Sequence, residues 1–438
     1  MLAALTLAAA AALPQIPFEK YQLPNGLTVI LSEDHRAPLV AVDLWYHVGA
    51  VNERPGRSGF AHLFEHLMFQ GSKHLQGDER IVFATLERNG ATNLNGSTEF
   101  DRTNYFETMP KDRLELALWL ESDRMGFLLD TVDQKKLDTQ REVVSNERRQ
   151  SIDNAPYGRA EERLVQLLYP KPSPYNGYVM GSFEDLNNAS LEDVKSFFRT
   201  WYAPDNASIA IVGDFKPAEV KPLIEKYFGP IVKGPERPKL TATPQEPAQA
   251  KQETLNDKVQ LAKVLTGWVG PKPLEEPAMT PLILLLAGGK SSRLYHDLVY
   301  EQKVAQDVSA NYDSGMQLGG LIEVTATVQA GHKPEEVLAA LAAQIKALRD
   351  TPPTDDELSR VKRNLRASLF AQLENVGGFG GKADLLNDFE LRGRDPGQFT
   401  PHLEKVLAVT PQDVQKAAQK YLTDESRVSI TVLPEGEK

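Results

Sequence analysis

Two periodicities share this chain of 438 residues. Leu27–Leu31 and Leu321–Val328 follow period two, the pattern of strands with one buried face. Leu114–Met125, Glu335–Leu348 and Asp355–Leu373 repeat their apolar positions near every 3.6 residues, the pattern of amphipathic helices. The two kinds of segment do not alternate as regular β-α-β units. That order predicts an α+β fold of mostly antiparallel sheets with helices packed on them.

The pattern breaks once and then repeats. Gly229 to Glu253 holds five prolines and little apolar periodicity, the composition of a semi-rigid connection. On either side the chain rhymes. SLEDVKSFFRTWYAPDNASIAIVGD (Ser190–Asp214) resembles TPQDVQKAAQKYLTDESRVSITVLP (Thr410–Pro434), and Asp193–Val194 falls on Asp413–Val414 at a shift of 220. In both, Ser or Thr caps an amphipathic helix, and a polar turn and an alternating strand follow. A repeat of this length is a duplicated domain rather than a solenoid. The expected organisation is a first domain over 16–233, a linker over 234–255 and a homologous second domain over 256–438.

Residues 1–15 stand apart. Leu2–Leu13 is an apolar run too short to cross a bilayer but suited to the core of a signal peptide, with cleavage expected between Ala10 and Gln15. No basic stretch precedes it, since the first cation is Lys20, so a loose apolar N-terminus is the alternative. The first reading places the mature protein in the periplasm or outside the cell, the second in the cytoplasm. No other apolar run approaches spanning length. A net charge of −11 argues against nucleic-acid binding.

One helix carries chemistry. In GFAHLFEHLMF (Gly59–Phe69), His62 and His66 are four apart, so both imidazoles project from one face of a helix, as two nitrogen ligands of a divalent metal must. Glu65 shares that face, where a carboxylate can take a proton from water and later deliver it to a leaving amine. Phe60, Leu63, Phe64, Leu67, Met68 and Phe69 make the helix apolar almost all round, and three polar residues there are costly without a metal or one another. The H-x-x-E-H spacing is that of the inverted zinc motif.

A third ligand is needed, and the chain has no cysteine. The remaining histidines, His35, His47, His74, His296, His332 and His402, lack a supporting pattern. QREVVSNERRQ (Gln140–Gln150) offers Glu142 and Glu147, which lie about 140° apart on a helix and cannot both face one metal. Glu147 follows Val143 and Val144 on the inward stripe, while Glu142 shares its side with Asp138, Ser145, Asn146 and Arg149. Spacing favours Glu147, with a surface helix charge as its equal alternative.

HLFEH followed by VVSNE resembles the pitrilysin family of zinc peptidases, which includes insulin-degrading enzyme and the mitochondrial processing peptidase. LNGSTEFDRTNYF (Leu94–Phe106) and AGGKSSRLYHDL (Ala287–Leu298) resemble further family segments, and the likeness spans nearly all of residues 17–438. The resemblance implies one zinc ion per chain held by His62, His66 and Glu147, with Glu65 as general base. It also implies that Asn95 and Thr98 belong to an edge strand to which peptide substrate adds. A chamber of four homologous domains would take unfolded peptides.

The chain departs from the family twice. Gln140 stands beside the ligands where many relatives carry glutamate. After the Ser-Arg-Leu signature, active one-chain relatives grip substrate with an arginine and, seven residues on, a tyrosine. Those places hold Val299 and Gln306. The expectation is therefore the zinc-bearing subunit of a heterodimer whose paralogous partner supplies the pair. A non-catalytic scaffold subunit is the alternative. NVGGFGG (Asn375–Gly381) lacks the Lys-Ser/Thr ending of a phosphate loop, and a flexible connection between helices is expected there.

Overall fold

The computed structural model describes residues 13–240 and 249–436. All but the last residue of the leader expected over Leu2–Leu13, and the centre of the linker, lie outside the described residues. The first half builds a six-stranded sheet from β1 (Glu19–Gln22), β2 (Thr28–Glu33), β3 (Leu39–Tyr46), β4 (Thr92–Thr98), β5 (Thr103–Pro110) and β6 (Ala207–Gly213). The strand order is β1-β2-β6-β3-β5-β4. The second half builds a five-stranded sheet from β7 (Lys251–Asp257), β8 (Lys263–Val269), β9 (Ala305–Asp313), β10 (Leu321–Val328) and β11 (Val428–Pro434), ordered β7-β11-β8-β10-β9. Neighbours run antiparallel except for one parallel pair in each sheet, β2–β6 and β7–β11. The second sheet thus repeats the first without β1, and each ends on an exposed edge, β4 or β9. The architecture is α+β, as the periodicities predict.

The repeated caps form as expected. Ser190 and Asp193 bond reciprocally at the start of the helix Leu191–Trp201, and Thr410 and Asp413 do the same at Pro411–Tyr421. The first of these helices leads to β6, the second to β11. The linker is shorter than expected at its end. Lys251–Leu255 pairs in parallel with Val428–Val432. Long-range backbone pairing, not local periodicity, makes this stretch a strand.

Five helices of the first half matter for the site: α1 (Phe60–Leu67), α2 (Ile81–Arg88), α3 (Leu114–Phe127), α4 (Gln134–Arg148) and α5 (Gly158–Leu168). One face of the first sheet buries Val40, Val42 and Leu44 in a core shared with Phe60, Leu63, Phe64 and Leu67 of α1. The other face, with Ile30, Ala41 and Ala210, packs against Leu386 and Phe389 of the helix Lys382–Gly393, which belongs to the second half. In exchange, α5 places Leu164 and Leu168 against Leu265 and Ile430 of the second sheet. Each half therefore covers a sheet face of the other. Tyr169, just past α5, is buried in this seam and donates to the carbonyls of Gly319 (3.1 Å) and Gly320 (2.9 Å). Among the described residues no helix is long and apolar enough to cross a membrane.

Candidate metal centre

The helix α1 is short, and its position is set by its surroundings. Gly59 precedes it with φ +87°, and a Cβ there would lie 2.7 Å from the Met180 carbonyl oxygen and 3.1 Å from Gly181 Cα. This is a close approach that glycine alone permits without strain. The Glu53 carboxylate accepts from the amides of Gly59 (2.8 Å) and Ala61 (2.9 Å), satisfying donors that the helix itself leaves free. Further along, Tyr202 donates to the carbonyl of Ala61 (3.2 Å) and Tyr105 to that of Phe64 (3.1 Å). Phe60, Leu63, Phe64 and Leu67 point into the core, which leaves His62, Glu65 and His66 on one face.

Helix α4 starts at the cap Asp133, whose side chain accepts from the Lys136 amide (2.8 Å), and brings Glu147 over that face. Glu147 Oε2 lies 3.1 Å from His66 Nε2 and 3.7 Å from His62 Nε2. The imidazole centroids are 4.9 Å apart and nearly perpendicular, at 86°. One ligand atom from each of the three residues falls within 4.8 Å of the others. Tetrahedral zinc with bonds of roughly 2.0–2.1 Å places its ligand atoms about 3.4 Å apart, so the two measured separations bracket what zinc requires. The residues fit the ion.

The electrostatics suit the same occupant. Burial, aided by His66, lowers the His62 pKa to about 4, so the ring is neutral and able to ligate at ordinary pH. The hydrogen bond from His66 holds the Glu147 carboxyl below its usual range. Glu65, beside them, is shifted the other way, because burial disfavours its charged form. Two carboxylates pushed in opposite directions at one site is the arrangement that separates a ligand from a proton carrier.

The other expected residues gather here with some differences. Thr98 sits in β4 with its hydroxyl beside the Glu65 carboxylate but without a fully formed hydrogen bond. Asn95 is in β4, and its own Oδ1 accepts from the Gly96 amide (2.9 Å). Gln140 is buried, at 3% exposure, two turns before Glu147. Glu142 is exposed and takes no part. Val143, read from the sequence as inward, is 39% exposed, because it faces a cavity of about 470 Å³ beside Glu65 and His66 rather than the core. Phe69 and Phe83, stacked at 4.4 Å, form another wall, and Arg80 lies at the cavity with its guanidinium over Phe83. The six other histidines join no comparable ligand group among the described residues. Sequence reasoning passed over Glu53, Tyr105 and Tyr202. Their roles depend on backbone atoms of α1 brought near by the fold, which no local spacing marks.

The positions of Val299 and Gln306 are equally plain. Val299 lies in the helical segment Tyr295–Glu301 and packs on the second core, and Gln306 is exposed at the start of β9.

Comparison with known proteins agrees with this geometry. The family model described as insulinase (peptidase family M16) matches residues 28–172, the half that carries the H-x-x-E-H helix. The model described as the peptidase M16 inactive domain matches residues 188–365. The chain is 31% identical over 429 residues to the zinc protease PqqE of Helicobacter pylori, covering 95% of this chain and 93% of that relative. It is 22% identical to a protein of Arabidopsis thaliana described as a probable mitochondrial-processing peptidase subunit beta, over 92% of this chain and 76% of the relative. A crystal structure of a protease from Helicobacter pylori superposes with a TM-score of 0.88 at 28% identity, over 96% of this chain and all of that one. The chain belongs to peptidase family M16, the pitrilysin family of zinc peptidases.

Proposed function

We propose that this chain is the zinc-bearing catalytic subunit of a two-chain endopeptidase that hydrolyses unfolded peptides or short polypeptides. The observation that carries this is the meeting of His62, His66 and Glu147 within 4.8 Å, with Glu65 on the same helix face. A bound zinc ion supplies Lewis-acid polarisation of the scissile carbonyl and a more acidic water. The peptide adds to the free edge of β4, where backbone pairing gives affinity with little side-chain selection. One substrate side chain enters the cavity walled by Phe69, Phe83 and Val143. Glu65 takes a proton from the attacking water, and its raised pKa favours passing that proton on to the departing amine. Thr98 steadies the Glu65 carboxylate from β4.

The proposal of a second chain rests on Val299 and Gln306, which offer neither a cation nor a phenol. The relative described as a subunit beta favours the same reading. The apolar run Leu2–Leu13 supports an exported, periplasmic protein. A scaffold subunit is the second reading, favoured by the match of the second half to a domain described as inactive.

The test is hydrolysis of unstructured peptides by the zinc-loaded chain, alone and mixed with a paralogue carrying arginine and tyrosine at the two places. Turnover only in the mixture is expected. Equal turnover by the chain alone would remove the partner from the account. No turnover in either case, with zinc bound, would make the chain a scaffold.

A further inference from the structure

The glycine-rich stretch Asn375–Gly381 is a fixed loop rather than a loose hinge. It joins the helices Asp355–Gln372 and Lys382–Gly393, and its ends are tied together by the Lys382 amide on the Asn375 carbonyl (3.0 Å) and the Ala383 amide on that of Val376 (3.1 Å). The Gly380 amide donates to the Asp384 carboxylate (2.7 Å). The loop lies directly on the first sheet. A Cβ on Gly377 would stand 2.5 Å from Ala41 Cβ and 2.7 Å from Thr108 Oγ1, and one on Gly378 would stand 3.5 Å from Asn93 Cγ. Gly378 (φ +80°) and Gly380 (φ +71°) take left-handed conformations on either side of Phe379 and hold it at the tip.

Phe379 is 60% exposed. Its ring meets Phe106 edge-on at 4.8 Å. Phe106 is the cross-strand partner of Asn95, and Asn93 is the second residue of the same edge strand, so Phe379 overlies the β4–β5 pair. It does so on the face opposite α1, because Tyr105, the neighbour of Phe106, points the other way and bonds the α1 backbone. A large aromatic side chain held in the open by a tied loop, above a free strand edge, is placed for a contact not yet made.

We propose that Phe379 is a specificity-determining residue that receives an aromatic or large aliphatic side chain of the substrate strand. The inference rests on the reading of β4 as the substrate-binding edge. A strand added there alternates its side chains. Those turned toward α1 meet the cavity of Phe69 and Phe83, and those turned away meet Phe379. Selection on the outer face is thus supplied by the second half of the chain.

The experiment measures binding of fluorescent peptides to the zinc-loaded full chain carrying Glu65→Gln, with and without Phe379→Ala or Phe379→Leu. Each peptide has one Phe, walked position by position through a Ser/Ala backbone. Phe379→Ala should weaken binding about tenfold when the Phe occupies positions of one parity, and change the other parity by less than about twofold. Phe379→Leu should restore most of the loss. Equal weakening at both parities, or none, overturns the proposal while leaving edge addition intact. A chain that binds no peptide either alone or mixed with the paralogue overturns edge addition and this proposal with it, whereas binding without hydrolysis by the wild type in that mixture faults only the catalytic reading.

Discussion

Gly56→Ala and Gly59→Ala form a matched pair. Both glycines have left-handed backbones, φ +78° and +87°, so each alanine costs about 1 kcal/mol for that conformation. Their surroundings differ. A Cβ at Gly56 meets nothing within 4 Å, whereas one at Gly59 meets Met180 O at 2.7 Å and Leu186 Cδ2 at 3.1 Å. Forcing atoms into a packed site adds about 1–3 kcal/mol. Burial pushes the Glu53 pKa up to about 8, so at pH 7 its carboxyl is mostly neutral, and displacing the Gly59 amide removes a hydrogen bond worth about 0.5–1.5 kcal/mol. Gly59→Ala should therefore cost about 2.5–5.5 kcal/mol and Gly56→Ala about 1 kcal/mol. Urea unfolding of the metal-free protein followed by tryptophan fluorescence reads this, since Trp45, Trp119 and Trp201 all lie in the first half. Zinc affinity gives a second readout, falling for Gly59→Ala because α1 moves, and holding for Gly56→Ala. Equal stability losses in the two variants would refute the view that close packing at Gly59 sets the position of α1.

Three further outcomes follow from named contacts. Glu147→Gln should weaken zinc binding at least about 100-fold by calorimetry, while Glu142→Gln, on an exposed position, should leave it unchanged. Tyr169→Phe should destabilise by about 1–2 kcal/mol, because the Gly319 carbonyl loses its buried donor, whereas Arg163→Ala, breaking a half-exposed pair with Glu253, should cost less than about 1 kcal/mol in thermal unfolding. For the metal-free protein, the His62 pKa of about 4 in the folded state against 6.5 unfolded means stability present above pH 6.5 and lost as the pH falls toward 4. Replacing it with Gln should remove that part of the slope between pH 7 and pH 5. Comparing variant with wild type separates His62 from His47, also lowered, and from buried acids such as Asp101, pushed up to about 7 and acting in the opposite sense.

What could be read from the sequence was local. The i, i+4 histidines and Glu65 needed only the helix period, and the caps at Ser190 and Thr410 only a three-residue spacing. The stripe argument favoured Glu147 without deciding it, and the family resemblance implied it as a ligand; Val143 on that stripe faces a cavity, since period 3.6 tells which face is covered and not by what. The same limit hid the exchange of helices between halves. The pattern of Gly158–Leu168 requires a buried face, yet nothing in it says that the face belongs to the second sheet. The parallel pairs β2–β6 and β7–β11 join segments far apart in the chain, and the polar Lys251–Leu255 is a strand because of its partner. Asn375–Gly381 was legible as a connection between helices, but the place of Phe379 over β4 was not.

Glu65 is proposed to carry protons in peptide hydrolysis at a zinc site it does not build. The most direct test measures zinc content and peptide turnover together in the wild type and in Glu65→Gln, each in whatever assembly proves active. One zinc per chain in both and turnover reduced to background in the variant are expected. Turnover retained by Glu65→Gln with full zinc would contradict that role.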